Sequence, residues 1–184
     1  MLSLVAALAF LALSSLLYWP TPEVAFRTDE SPAAWLSSAQ LWAMALLSLR
    51  LWGDGVLPRA LCLWLGVAMM GMAFDEQFML HEHWKYGCVD WFESCRMAWV
   101  TELPMLLVAA GGAATVLWLH RCLPSGLARG QLWLALAVGL FALYMRFFGH
   151  ALLPYKAAFL VLAQALFAGL LLGLRFRSQV HSSS

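Results

Sequence analysis

Residues 71–105 read GMAFDEQFMLHEHWKYGCVDWFESCRMAWVTELPM, and how this stretch is read decides the fold. It begins inside an apolar run and leaves it through a cluster of acids and histidines. It then crosses a short loop with two cysteines and enters the next apolar run at Thr101-Glu102-Leu103-Pro104. Six of the ten acidic residues lie in it (Asp75, Glu76, Glu82, Asp90, Glu93, Glu102), with His81 and His83. The rest of the chain is mostly hydrocarbon. Of its 184 residues, 63% are hydrophobic and 11% charged. A soluble domain carries about a quarter charged residues, so composition points to an integral membrane protein. The net charge of +1 gives no basis for nucleic-acid binding.

Working outward, the apolar runs predict an all-α bundle in one transmembrane domain over residues 1–184. Its spans are expected at 1–19, 35–52, 60–82, 101–119, 131–149 and 157–174. Residues 1–19 have no basic leading region and no small-x-small site before Pro20, so they read as a retained helix rather than a signal peptide. Residues 83–100 read as a loop. Glu102 and Pro104 suit the first turn of the fourth span. Ala109, Ala110, Gly111, Gly112, Ala113 and Ala114 offer a small-residue face for close helix packing.

Basic residues near span ends set the orientation. With the N-terminus inside, Arg50, Arg59, Arg121, Arg129, Arg175 and Arg177 fall on the inner side. Arg27, Lys85, Arg96, Arg146 and Lys156 fall on the outer side. Both termini are then cytoplasmic, in what is expected to be a bacterial inner membrane. Cys88 and Cys95 share an outer loop and could pair in an oxidising compartment; two free thiols are the alternative.

Ionisable residues within a span are costly and rarely idle. Asp75, Glu76, Glu82, Glu102, Arg146, His150 and Lys156 all fall toward the outer ends of their helices, where they could build one polar pocket. In a regular helix Asp75 and Glu82 share a face, Glu76 and His83 share its neighbour, and His81 points away from Asp75. By residue type, Asp75, His81, Glu102 and His150 could hold a metal, zinc ahead of iron. The spacing contains no HExxH, HxxxH or ExxH motif. A salt-bridged cluster pairing Arg146 with Asp75 or Glu76, and a path for protons or ions, are the competing readings.

Phe78-Met79-Leu80-His81, then Trp84-Lys85-Tyr86, then Thr101-Glu102-Leu103-Pro104-Met105 resemble the alkaline ceramidase branch of the CREST membrane hydrolases. The resemblance implies a zinc-dependent amide hydrolase of a lipid, with His81 as a zinc ligand. The family's aspartate falls on Thr101, and Glu102 matches the neighbouring acid. The chain departs from the pattern at Gln77, where the family has serine. It also lacks the family's last-helix histidine pair, for which only His150 could stand in, and has six spans instead of seven.

The function expected from these residues is a metal-dependent membrane hydrolase of a lipid or amphiphile. Glu76 or Glu82 would be the general base, and Arg146 and Lys156 would hold an anionic headgroup. Membrane lipids are the expected partners, with a homo-oligomer or a partner membrane subunit left open. The alternatives are a small ion-coupled transporter and a non-catalytic subunit of a membrane complex. The scarcity of ionisable residues in the inner halves of the spans argues against a continuous transport path.

Overall fold

Ser31 starts a helix of 22 residues by local chemistry alone. Its extended backbone and its hydroxyl, which accepts from the Ala34 N–H at 3.3 Å, cap helix α3 (Pro32–Gly53), and Pro32 supplies a preset first-turn φ. The computed structural model describes residues 2–27, 31–148 and 155–182. Before α3 come α1 (Leu2–Leu17) and the single turn α2 (Val24–Arg27). After it come α4 (Arg59–Phe78), α5 (Leu80–Gly87), two short 3₁₀ turns, α6 (Ala98–Thr101), α7 (Leu103–Cys122), α8 (Leu127–Phe148) and α9 (Lys156–Ser182). Every regular element among the described residues is helical, as the composition led one to expect.

The helices pair through specific polar ties as well as apolar contact. Ser38 Oγ donates to the Ala73 carbonyl, and Leu49 lies over Gly66, so α3 and α4 run antiparallel. Gln164 donates to Ser37 Oγ at 2.9 Å and Arg175 reaches Asp54 at 3.3 Å, so α3 and α9 run parallel. Gln131 donates to the Leu166 carbonyl, and Phe141 packs edge-on against Phe159, which makes α8 antiparallel to α9. Such interhelical hydrogen bonds matter where lipid offers no competing partner. One core joins Met44, Leu51, Leu61, Leu65, Leu119, Leu132 and Leu171. A second, smaller core joins Ala7 and Leu11 of α1 to Phe26, Ala33 and Val161.

Among the described residues, three helical segments are long and apolar enough to cross a membrane: Leu103–Cys122, Leu127–Met145 and Lys156–Arg177. The other three expected spans differ for identifiable reasons. Helix α1 has 16 residues. Helices α3 and α4 have the length, but α3 carries Ser37, Ser38, Gln40 and Ser48, and α4 carries Asp75, Glu76 and Gln77 in its last turns. The expected third span over 60–82 is two helices, not one, broken at Met79. The small residues of α7 pack less than expected. A Cβ placed on Gly111 would meet the ring of Trp64 at 3.4 Å, so this glycine faces Trp64, but Ala109, Ala110, Gly112, Ala113 and Ala114 stay exposed. Trp64 also donates from its indole to Thr115 Oγ1, fixing α7 on α4.

Candidate functional site

The site is created by the break at Met79. This residue has φ 51° and ψ 41°, the left-handed region that a non-glycine residue enters at a cost. It both ends α4 and starts α5. The change of direction swings His81 back over the last turns of α4. Asp75 then receives two hydrogen bonds from one residue. The His81 backbone N–H donates to Asp75 Oδ1 at 2.8 Å, and His81 Nδ1 lies 2.8 Å from Oδ2. In a continuous helix His81 would face away. The left-handed residue breaks the regular helix on which that expectation rested, and Asp75 pairs with His81 instead of sharing one helix face with Glu82.

The pair has a definite chemical capacity. An ionised carboxylate can only accept, so Nδ1 carries a proton, and in the neutral ring Nε2 then holds the lone pair. Nε2 can then take a proton from water or ligate a metal. The two side chains are 24% and 33% exposed, so the pair is reachable from outside the bundle while its geometry is held. Glu76 and Glu82 are half-buried beside it, Glu82 in the first turn of α5 where an acid suits the helix N-terminus.

Helix α5 presents one continuous working face. His81, Trp84, Lys85 and Cys88 follow the i, i+3, i+4, i+7 spacing that puts side chains in one row. Each is engaged. Trp84 Nε1 donates to the Val100 carbonyl at 3.0 Å, Lys85 Nζ pairs with Glu102 Oε1, and Cys88 is disulfide-bonded to Cys95 with Cα atoms 5.9 Å apart. The sequence reading took residues 83–100 as a loop and missed this face, although the spacing was there to be seen. Glu102, expected as a metal ligand, is an ion-pair partner of Lys85.

Antiparallel packing brings several expected residues to the same end of the bundle. Lys156 opens α9 there, Arg146 lies in the last turn of α8, and Glu102 precedes α7. His150 lies outside the described residues. Among the described residues, no three of His, Cys, Asp and Glu gather as ligands of one ion. The last turns of α4 also border a shallow cleft of about 380 Å³, lined by Trp35, Ser38, Ala39, Trp42, Phe74, Gln77 and Phe78. Trp42 and Phe74 meet edge-on at 5.3 Å, and Phe74 and Phe78 stack at 5.8 Å. Apolar cleft and polar pair thus share one stretch of helix: Phe74, Gln77 and Phe78 face the cleft, and Asp75 holds His81.

No protein-family model, no characterised protein and no solved structure matches this chain.

Proposed function

We propose that this protein is a membrane-embedded hydrolase acting on a lipid or other amphiphilic substrate, with all six apolar segments in the bilayer and the Asp75–His81 pair at its working end. The observation that carries the reading is the carboxylate–imidazole pair itself. It is built from a strained backbone turn and is partly open to the outside. Strain of this kind gathers at functional sites.

In this mechanism His81 Nε2 removes a proton from water as the water adds to the substrate carbonyl. Asp75 holds the ring in the required tautomer and stabilises the imidazolium that forms. The imidazolium then returns the proton to the leaving oxygen or nitrogen. The aromatic cleft between α3 and α4 receives hydrocarbon, and Arg146 and Lys156, at the same end of the bundle, attract an anionic headgroup.

A zinc-dependent version is favoured by one specific feature. An imidazole whose Nδ1 is bound by a carboxylate is the arrangement that orients metal-ligating histidines. His81 would then be a ligand, Asp75 its support, His150 a further ligand, and Glu76 or Glu82 the base. The described residues alone do not complete a zinc donor set, so the steps above are written for the protein's own groups. The likeness of residues 78–81 and 101–105 to alkaline ceramidases makes N-acyl amides of long-chain bases the first substrates to try.

The test is turnover in nanodiscs of a panel of N-acyl sphingoid bases, lysophospholipids and monoacylglycerols, read by mass spectrometry. The wild type should hydrolyse one class, and His81→Gln should lower that rate by about 10²–10⁴. Metal content of the same samples, with His81→Ala and His150→Ala, decides the zinc-dependent version. A panel untouched by wild-type protein would sink the hydrolase reading in favour of a non-catalytic subunit.

A further inference from the structure

The geometry points to Lys85 and Glu102 as positioning residues that act on His81 through the seat of α5. This inference rests on Asp75–His81 being the working pair, but its test reads the geometry of that pair directly. Helix α5 contains no buried residue. Its packed apolar side chain, Trp84, lies half-buried against Cys88, Cys95 and Val100 toward the far end of the helix, so around His81 the polar contacts along one face set the orientation. His81 touches α4 at one end of that face. Lys85, four residues on, touches Glu102 at the entry to α7, with Trp84 bonded to Val100 just before it.

Four residues are one helical turn, so His81 and Lys85 stand one above the other. A rotation of α5 that separates Lys85 from Glu102 carries the imidazole off Asp75. The left-handed residue at Met79 gives α5 a pivot at its start, and the Lys85–Glu102 pair is a charged contact one helical turn beyond the imidazole. The Cys88–Cys95 bridge closes the loop beyond Gly87 but ties α5 to a 3₁₀ turn rather than to a spanning helix. It limits how far α5 can swing without choosing its rotation. Lys85 and Glu102 touch no reacting atom in this scheme.

The test is the tautomer of His81. Free imidazole favours the proton on Nε2, whereas the Asp75 contact demands it on Nδ1. Protein with ¹⁵N-labelled histidine, reconstituted in bilayers, is examined by solid-state NMR, with the His81 signals assigned by His81→Gln. Wild type should show the Nδ1-protonated form, and Asp75→Ala should lose it. Lys85→Glu and Glu102→Lys should each shift at least half of the His81 population to the other form, and the exchanged pair Lys85→Glu with Glu102→Lys should restore it. Lys85→Met, which keeps the stem and removes the charge, serves in place of Lys85→Glu if that variant does not fold. An unchanged tautomer in Lys85→Met, or loss in both single variants without recovery in the exchanged pair, overturns the inference. If the tautomers behave as expected while no amphiphile is hydrolysed, the positioning role stands and the hydrolase reading alone fails.

Discussion

Replacing Asp75 with alanine removes both acceptors that hold His81, and the size of the effect can be worked from the contacts. The two hydrogen bonds are each 2.8 Å long. A hydrogen bond to a charged group contributes about 1.5–3 kcal/mol. Taking the low end for each gives roughly 3 kcal/mol before allowance for water. The partners are 24% and 33% exposed, so solvent screens the ionic part and about half survives, near 1.5–2 kcal/mol. At about 1.4 kcal/mol per factor of ten, the first turn of α5 should open roughly 10- to 30-fold more often. Apolar burial should mask little of the effect, because α5 has no fully buried residue and its packed Trp84 lies beyond the first turn. Amide hydrogen exchange of the peptide spanning residues 79–87, measured by mass spectrometry in nanodiscs, reads this opening directly. The contrast with Asp75→Asn sharpens the test. Asparagine keeps one oxygen for the His81 N–H but turns an amide N–H₂ toward Nδ1, forcing the ring into the other tautomer. Exchange should then rise by only a few-fold, while hydrolysis falls on the order of 10⁴, as expected for an orienting carboxylate. Exchange in Asp75→Ala equal to wild type would refute the reasoning, since the Asp75–His81 contact would then contribute nothing to the seat of α5.

The other expectations test separate parts of the structure. Met79→Gly, which removes the Cβ from a left-handed position, should leave the Asp75–His81 pair intact. Met79→Ile should weaken it and lower stability by roughly 1–2 kcal/mol; thermal unfolding in detergent ranks the two. Leu61→Ala and Leu65→Ala empty fully buried sites in the larger core and should each cost about 2–4 kcal/mol, whereas Leu107→Ala, on the exposed face of α7, should fall within about 0.5 kcal/mol; reversible unfolding by chemical denaturant measures both. Cys88→Ser opens a loop with a sequence separation of 7, and chain entropy puts the loss near 2.5 kcal/mol for that loop. Limited proteolysis should therefore cut between residues 88 and 100 much faster in that variant, and reductant should produce the same cut in wild type.

The all-helical class was legible because long apolar runs leave few alternatives, and the helix borders at Ser31-Pro32 and Gly53-Asp54-Gly55 carry recognisable capping and turn chemistry. Asp75, His81 and Glu102 were legible as residues that matter because polar groups are rare among these hydrophobic neighbours. Their pairing was not. It depends on a left-handed residue in the string Gln77-Phe78-Met79-Leu80, which contains no glycine, proline or asparagine to announce a break. A regular helix was therefore the expectation from local propensity, and it sends His81 to the wrong side.

What overrides that propensity is the carboxylate one turn earlier. An acid near the end of an apolar helix must find donors, and here the nearest backbone N–H and imidazole belong to the same chain, six residues on. Turning the backbone at Met79 costs on the order of 1–2 kcal/mol, comparable to what the two bonds to Asp75 return after screening. The balance is close enough that α5 would seat loosely on Asp75 alone. This is why the contacts of Trp84, Lys85 and Cys88 follow along the same face: they add the anchorage that a strained turn and an unburied helix do not supply. The aromatic and charged stretch that looks like a loop in the sequence thus carries the contacts that seat α5 beside Asp75.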